Sequence, residues 1–272
     1  MTTVDWTGVA TAWEQRRDHA EEATQPVARS LLEGVRLSAG DRVLEVGAGT
    51  GDLARVLAEV VGPTGSVLAT DPAAGMVEVA RRTLTGLPQA SASQAAGSDT
   101  GLADASVDVV LSRMALMFDP DPARALQEAR RVLVPSGRFA AAVWAGPQHN
   151  PWMSTVGISA MLAGAVQGGP PIGPGEVFSL ADSAHLLGLL DEAGFGRTSV
   201  QEVAVTFAFP TTEEQFDSVS SLAAPLALAL SGASEAQVTA ARRMAAEAAE
   251  PFRTGDGFVF PGLALVASGV RP

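Results

Sequence analysis

The sequence predicts an α/β fold in which a mostly parallel β-sheet carries helices on both of its faces. Short apolar runs typical of buried strands alternate with amphipathic runs typical of helices. The first such strand, Val43–Val46, leads through a glycine turn into the helical pattern of Asp52–Val61. Apolar residues make up 47% of the 272 residues, which is enough to form one full core with an additional helical part.

The glycine turn after the first strand indicates a nucleoside ligand. Gly47, Gly49 and Gly51 stand at alternate positions, where a side chain would keep a ligand away from the backbone. The amides at the start of the following helix lie at the positive end of its dipole. A dinucleotide fingerprint would place its third glycine one residue later. Asp71 ends the next apolar run, and an acid at that point can accept hydrogen bonds from both hydroxyls of a ribose.

These features resemble motif I and its acidic partner in the class I S-adenosylmethionine (SAM) methyltransferases. Two later stretches, 104–110 and 128–139, resemble the type 11, ubiquinone/menaquinone methyltransferase-like branch of that family. The resemblance covers about residues 40–145. It implies a Rossmann-like seven-stranded sheet whose last strand is antiparallel, with SAM as the cofactor and no metal.

The resemblance also implies which residues contact the cofactor. The expected set lies on the glycine loop, at the end of the second strand, after the third strand and at the end of the fourth: Glu45, Gly47, Ala48, Gly49, Gly51, Asp71, Pro72, Met76, Gly97, Ser98, Asp99, Ser112 and Arg113. The sequence departs from the family at Ala96, where an acid usually contacts the adenine amino group. Asp99 or Ser98 substitutes for that acid, or backbone amides alone hold the base.

The regions outside the nucleotide core predict a helical lid. We expect N-terminal helices in residues 1–37, over about Val9–Glu22 and Gln25–Val35. The further predicted divisions are the core at 38–145, a lid insertion at 146–176, a core helix and strand six at 177–208, a helical lid at 209–256 and the last core strand at 257–272. The apolar content of the lid predicts a hydrophobic or aromatic substrate. Alternatively, these helices only pack against each other or form a homodimer interface.

Composition narrows the function further. The absence of cysteine excludes disulfides, thiolate metal sites and a catalytic cysteine, and the three histidines lie too far apart for a zinc motif. A net charge of -12 disfavours nucleic acid and favours a small-molecule substrate. Neither a signal peptide nor an apolar run long enough for a membrane span is visible, so we expect a cytoplasmic protein.

The predicted methyl transfer requires few catalytic groups from the protein. The sulfonium methyl group is already activated, so transfer needs an in-line nucleophile and the exclusion of water. Oxygen and carbon acceptors also need a base, and His149, just after strand five, is the histidine placed for that role. The alternative for His149 is an ordinary surface residue.

We therefore predict SAM-dependent methyl transfer to an O, N or C atom of a small hydrophobic or aromatic metabolite, as in secondary metabolism. One alternative is a methyltransferase-like protein that holds SAM or S-adenosylhomocysteine structurally while it catalyses a cyclisation. Another is a non-catalytic binding protein, for which Ala96 is the best argument. An NAD-dependent oxidoreductase is disfavoured by the glycine spacing and by the lack of tyrosine.

Overall fold

A computed structural model describes residues 6–169 and 171–272 and contains one eight-stranded mixed sheet. Its order is β3-β2-β1-β4-β5-β8-β6, and β7 pairs with β8 outside this path. The strands are β1 Arg42–Val46, β2 Ser66–Asp71, β3 Ala90–Gln94, β4 Val107–Arg113, β5 Leu133–Trp144, β6 Gly196–Phe209, β7 Arg253–Thr254 and β8 Gly257–Val270. All neighbouring pairs from β3 to β5 are parallel, whereas β8 runs antiparallel to β5, β6 and β7.

This architecture confirms the predicted fold class, with one correction to the strand count. We expected seven strands, and the eighth is the two-residue β7, which forms a hairpin with the start of β8. Two residues are too few to give a strand pattern in the sequence, so β7 was not predicted.

Helices cover both faces of the sheet. They are α1 Ala10–Gln15, α2 Arg17–Val35, α3 Asp52–Val61, α4 Ala74–Thr83, α5 Pro122–Val132, α6 Pro151–Leu162, α7 Ser183–Glu192, α8 Thr212–Leu222, α9 Ala224–Ser231 and α10 Glu235–Ala249. Gly34 of α2 lies against Ala140 of β5, whereas the adjacent Phe139 contacts Phe195, just after α7. Since successive strand residues point to opposite faces, α2 and α7 pack on opposite sides.

The N-terminal helices divide at a different place from the one predicted. We expected a break just before Gln25, but α2 continues through Pro26 and the break lies at Arg16. Pro26 is exposed, so the backbone hydrogen bond that it removes is lost on the solvent side of the helix. The opposite side, with Val27 and Leu31 fully buried, packs on the sheet and keeps the helix continuous.

Strand β5 is longer than predicted. We expected a break at Pro135–Gly137 and a strand from Arg138, but β5 begins at Leu133. Ser136 takes a left-handed backbone conformation with φ 64° and donates its amide to the Arg271 carbonyl at 2.9 Å. Pairing with the end of the chain therefore satisfies a segment whose local pattern indicates a turn.

Four helices, α6, α8, α9 and α10, form what we call the helical cover. It lies beyond the carboxyl edge of the sheet, because α6 follows the carboxyl end of β5 and α8 follows that of β6. Gln215 of α8, fully buried, donates to the Trp152 carbonyl and to the Thr155 hydroxyl of α6. The spacing of Ser234 and Gln237 predicts a capping box, and this box begins α10. Within the described ranges, every helix is too short or too polar to cross a membrane.

Candidate functional site

The glycine loop between β1 and α3 leaves one stretch of backbone uncovered. Its three glycines have positive φ angles of 68°, 53° and 81°. A Cβ on Gly47 would lie 2.2 Å from the Ala115 Cβ, and one on Gly51 would lie 3.0 Å from the Ala80 backbone. A Cβ on Gly49 would meet nothing within 4 Å. Gly47 and Gly51 therefore permit packing, whereas Gly49 borders open space that a ligand can enter.

Asp71, at the carboxyl end of β2, lies directly beside that open space. Its Oδ2 accepts the Gly49 amide at 3.0 Å and its Oδ1 accepts the Ala73 amide at 2.9 Å. Burial raises the pKa of this carboxyl, and the two backbone hydrogen bonds oppose the rise. A carboxylate has about four acceptor positions, so the two amides leave capacity for two ligand hydroxyls. Pro72 follows, and its carbonyl accepts the Gln94 side chain at 2.8 Å.

Glu45, near the carboxyl end of β1, is a buried acid with an unsatisfied oxygen. It is 1% exposed, and its Oε2 has no hydrogen-bond partner among the described residues. Burial raises its pKa to about 8, although the nearby Arg113 guanidinium lowers it. A cationic ligand beside Glu45 would stabilise its ionised form. The Ser112 hydroxyl, at the end of β4, is likewise buried without a partner in the part of the chain that is described.

Two ion pairs hold α2 over this part of the sheet. The Arg113 guanidinium pairs with Glu21, whose Oε2 lies 3.0 Å from Nη1. Arg17, one helical turn before Glu21, has its Nε 3.5 Å from a carboxylate oxygen of Asp52, the first residue of α3. Both contacts lie beside the glycine loop, so α2 closes one side of the candidate site.

The loop after β3, where the adenine contacts are expected, approaches the end of β1. A Cβ on Gly97 would lie 2.9 Å from a Val46 methyl carbon and 3.5 Å from the Asp119 Oδ2. Ser98 is half-buried and Asp99 is exposed. Sequence reasoning missed Asp119, whose pKa is raised by burial. Asp119 directly follows the apolar residues after β4, and this position was the sequence signal that could have indicated a place near the site.

Met76, on α4, is 4% exposed and packs in a small cluster apart from the main core. This cluster joins the N-terminal residues Val9 and Ala10 to Ala224 of α9, with Trp6 and Trp13 against it. Met76 thus lies under elements that cover the sheet edge, and its expected place near the adenine stays a prediction.

The three histidines occupy different environments. His149, the predicted base, is exposed in a 3₁₀ turn, and no hydrogen bond or ion pair of its side chain is found in the described chain. His185 on α7 is also exposed. His19 on α2 is half-buried, its ring centroid lies 4.9 Å from that of Phe209, and burial lowers its pKa. The catalytic role of His149 stays a prediction, and sequence reasoning missed the surroundings of His19.

Comparison with known proteins finds similarity to methyltransferases. A family profile described as "Methyltransferase domain" matches residues 44–141. Nocamycin O-methyltransferase of Saccharothrix syringae is 36% identical over 148 residues, covering 53% of this chain and 51% of that protein. The ubiquinone/menaquinone biosynthesis C-methyltransferase UbiE of Ectopseudomonas mendocina is 36% identical over 128 residues, covering 46% and 49%. The chain thus spans about half the length of these curated relatives.

Solved structures support the fold. A SAM-dependent methyltransferase from Aquifex aeolicus superposes with a TM-score of 0.54 at 23% identity, covering 71% of this chain and 92% of that one. The [4+2]-cyclase SpnF superposes with a TM-score of 0.56 at 18% identity, covering 97% and 96%. At these identities the likeness shows the fold alone. Over residues 44–141 the chain therefore matches the methyltransferase domain family, and it is similar to SAM-dependent methyltransferases in fold.

Proposed function

We propose that this protein transfers the methyl group of SAM to an O, N or C atom of a small hydrophobic or aromatic metabolite. The observation that carries the proposal is the pairing of bare backbone at Gly49 with the buried carboxylate of Asp71. A ribose fits between a backbone that lacks a side chain and an acid that keeps acceptor capacity.

The residues present fit the chemistry of SAM. The cofactor has two ribose hydroxyls that donate to a carboxylate such as Asp71. It also has an ammonium and a sulfonium, which suit the unsatisfied, buried Oε2 of Glu45. When bound, SAM supplies a methyl carbon that is already activated for attack. The protein then has to hold the cofactor, align the acceptor and exclude water.

The remaining predicted cofactor contacts are argued from the carboxyl ends of the strands. Ligands of open parallel sheets bind beyond the carboxyl ends of the strands, which here include Ser112 and Arg113 of β4. We assign these two residues to the methionine part of the cofactor. Gly97, Ser98 and Asp99 are assigned to the adenine, with backbone amides as the holding groups because Asp99 is exposed.

An apolar acceptor is supported by the surroundings and by the relatives. Trp144, Trp152 and Phe207 lie together where β5, β6 and the helical cover meet. The names of the two curated relatives describe methyl transfer to nocamycin-type and quinone-pathway compounds, which supports a small-molecule acceptor. The chain's net charge of -12 opposes polyanionic substrates.

Calorimetric titration tests the cofactor assignment. We expect SAM and S-adenosylhomocysteine to bind and NAD not to bind. Asp71→Ala should weaken SAM binding at least about tenfold, because two ribose hydrogen bonds of about 1 kcal/mol each disappear. Glu59→Ala, at an exposed position of α3 outside the predicted cofactor contacts, is the control. Tight binding of NAD, or unchanged SAM affinity in Asp71→Ala, would contradict the assignment.

Transfer itself is tested with SAM carrying a deuterated methyl group. The protein is incubated with this cofactor and a panel of aromatic and quinone-like compounds, and mass spectrometry follows the label. A labelled product supports methyl transfer. If SAM binds but the label never leaves it while a compound in the panel is cyclised, the cyclase alternative replaces the proposal.

A further inference from the structure

A line of aromatic rings runs along the carboxyl edge of the sheet and ends at His19. The ring centroids of Trp144 of β5 and Trp152 of α6 lie 5.3 Å apart. Trp152 stacks on Phe207 of β6, with a centroid distance of 3.8 Å and an interplanar angle of 19°. Phe209 follows Phe207 at 6.5 Å, and the His19 ring lies 4.9 Å from Phe209. We call Trp144, Trp152, Phe207 and Phe209 the aromatic wall.

The register of the sheet places this wall on the same face as the cofactor residues. Arg113 of β4 pairs with Ala142 of β5, and Trp144 stands two residues further, so Arg113 and Trp144 share a face. Trp144 pairs with Ala264 of β8, which pairs with Val203 of β6. Phe207 and Phe209 are four and six residues beyond Val203 and keep its face. The wall therefore begins next to the strand that carries Arg113.

The wall has the length of a fused two-ring compound. The ring centroids of Trp144 and Phe207 lie 6.1 Å apart, and those of Phe207 and Phe209 lie 6.5 Å apart. The near end of the wall, at Trp144, is one strand from β4 and the candidate cofactor site. The far end is His19. An acceptor lying along the wall would present one end to the methyl donor and the other to the imidazole.

His19 has a free hydrogen-bonding atom at this far end. Its Nε2 is buried and has no partner among the described residues. A buried polar atom without a partner is costly, and such atoms in native proteins need an explanation. The charged groups that act on His19 are Glu22 and Arg16 of α2 and Glu214 of α8, of which Arg16 and Glu214 pair with each other at 2.7 Å. None of these groups forms a hydrogen bond with the Nε2, which is left as a buried atom without a partner among the described residues.

We propose that the aromatic wall and His19 form the acceptor subsite, and that His19 selects a planar aromatic acceptor with a hydroxyl at the end remote from the methylated atom. The aromatic rings bind the acceptor by stacking, and the hydroxyl bonds to the Nε2. His19 is a specificity residue in this arrangement and takes no part in the transfer itself. The inference rests on the proposed function, because it places the acceptor relative to the SAM site.

Two probes that differ only in the hydroxyl test this arrangement. 2-Naphthol and naphthalene are measured by equilibrium dialysis against the full chain with S-adenosylhomocysteine present. We expect the wild type to bind 2-naphthol at least tenfold more tightly than naphthalene. His19→Phe keeps a ring against Phe209 but removes Nε2, and it should lower this preference at least tenfold. His19→Gln, which retains a hydrogen-bonding group, should restore part of the preference.

The control is His185→Ala, an exposed histidine on α7 that should leave the preference unchanged. Thermal unfolding of each variant establishes that it is folded, and His19→Gln carries the test if His19→Phe is not. An unchanged preference in the folded His19 variants overturns the inference, as does a wild type that binds neither probe. Titration with SAM separates the two proposals. A wild type that binds SAM but neither probe refutes the subsite alone, whereas one that does not bind SAM refutes the proposed function.

Discussion

Glu45→Gln should stabilise the protein by an amount that grows with pH. Burial raises the pKa of Glu45 from 4.5 to about 8 in the folded protein. Between these two pH values, the folded state therefore keeps the Glu45 carboxyl protonated, whereas the unfolded state has released that proton. The contribution of Glu45 to stability is fully present below pH 4.5 and is lost as the pH rises to about 8. At about 1.4 kcal/mol per pH unit, the loss reaches about 5 kcal/mol at the upper limit and about 3 kcal/mol at neutral pH.

Glutamine has nearly the same shape and no charge, so the variant avoids this loss. Urea unfolding from pH 4.5 to 9 measures the difference in unfolding free energy between Glu45→Gln and the wild type. We expect it to be small at the acidic end and several kcal/mol in favour of the variant at the alkaline end. Glu59→Gln, at an exposed position of α3, is the matched control and should show little pH dependence. A difference that stays constant with pH would refute the burial argument.

The same carboxyl should report the charge of the cofactor. SAM carries a sulfonium that S-adenosylhomocysteine lacks, and a cation beside Glu45 favours its ionised form. Below pH 8 the wild type should therefore release protons on binding SAM, and it should release fewer on binding the product. Calorimetry in buffers of different ionisation enthalpy measures this release. Glu45→Gln should abolish it, and an equal release in the variant would locate the proton elsewhere.

Two matched comparisons test the packing of the site. Gly47→Ala should destabilise the protein by several kcal/mol, because its Cβ would lie 2.2 Å from that of Ala115. Gly49→Ala has open space around its Cβ, so it should lose only about 1–2 kcal/mol of stability to its left-handed backbone and should lose more in SAM affinity. Urea unfolding and SAM titration separate the two variants, and equal losses of stability would contradict the geometry. Arg113→Met should lower the free energy of unfolding by about 2 kcal/mol, which is less than for a fully buried ion pair because the Glu21 side chain is 33% exposed. In chemical unfolding, the double variant Arg113→Met/Glu21→Leu should recover part of that loss. Strictly additive losses would show that the two side chains do not interact.

The parts of this protein that the sequence predicted are those with local signals. The helix over Asp52–Val61, the glycine loop and Asp71 lie within one strand–turn–helix–strand unit, and their pattern is complete within 30 residues. The capping box at Ser234 is likewise local.

The parts that escaped prediction depend on contacts between distant segments. Glu21 meets Arg113 across 92 positions of the chain, and Glu21 does not differ by pattern from other charged residues of its helix. His19 acquires its apolar surroundings from Phe207 and Phe209 on β6. The predicted break before Gln25 failed for the same reason, since packing of α2 on the sheet outweighs the local effect of Pro26.

Helix α2 connects the two halves of the proposed site. Arg17 and Glu21 are one turn apart and hold one side of the helix against Asp52 and Arg113. His19 lies between them in sequence, about 200° around the helix from each, and contacts the aromatic wall on the other side.

Because a helical turn moves as a unit, a ligand on either side that fixes α2 reduces the entropy cost of binding on the other. The affinity of SAM should therefore rise in the presence of 2-naphthol by the same factor by which SAM tightens 2-naphthol, since coupling between sites is reciprocal. Glu21→Gln loosens the SAM side without touching the wall and should reduce that factor in both directions. If the factor survives in Glu21→Gln while each ligand still binds, the coupling does not pass through α2.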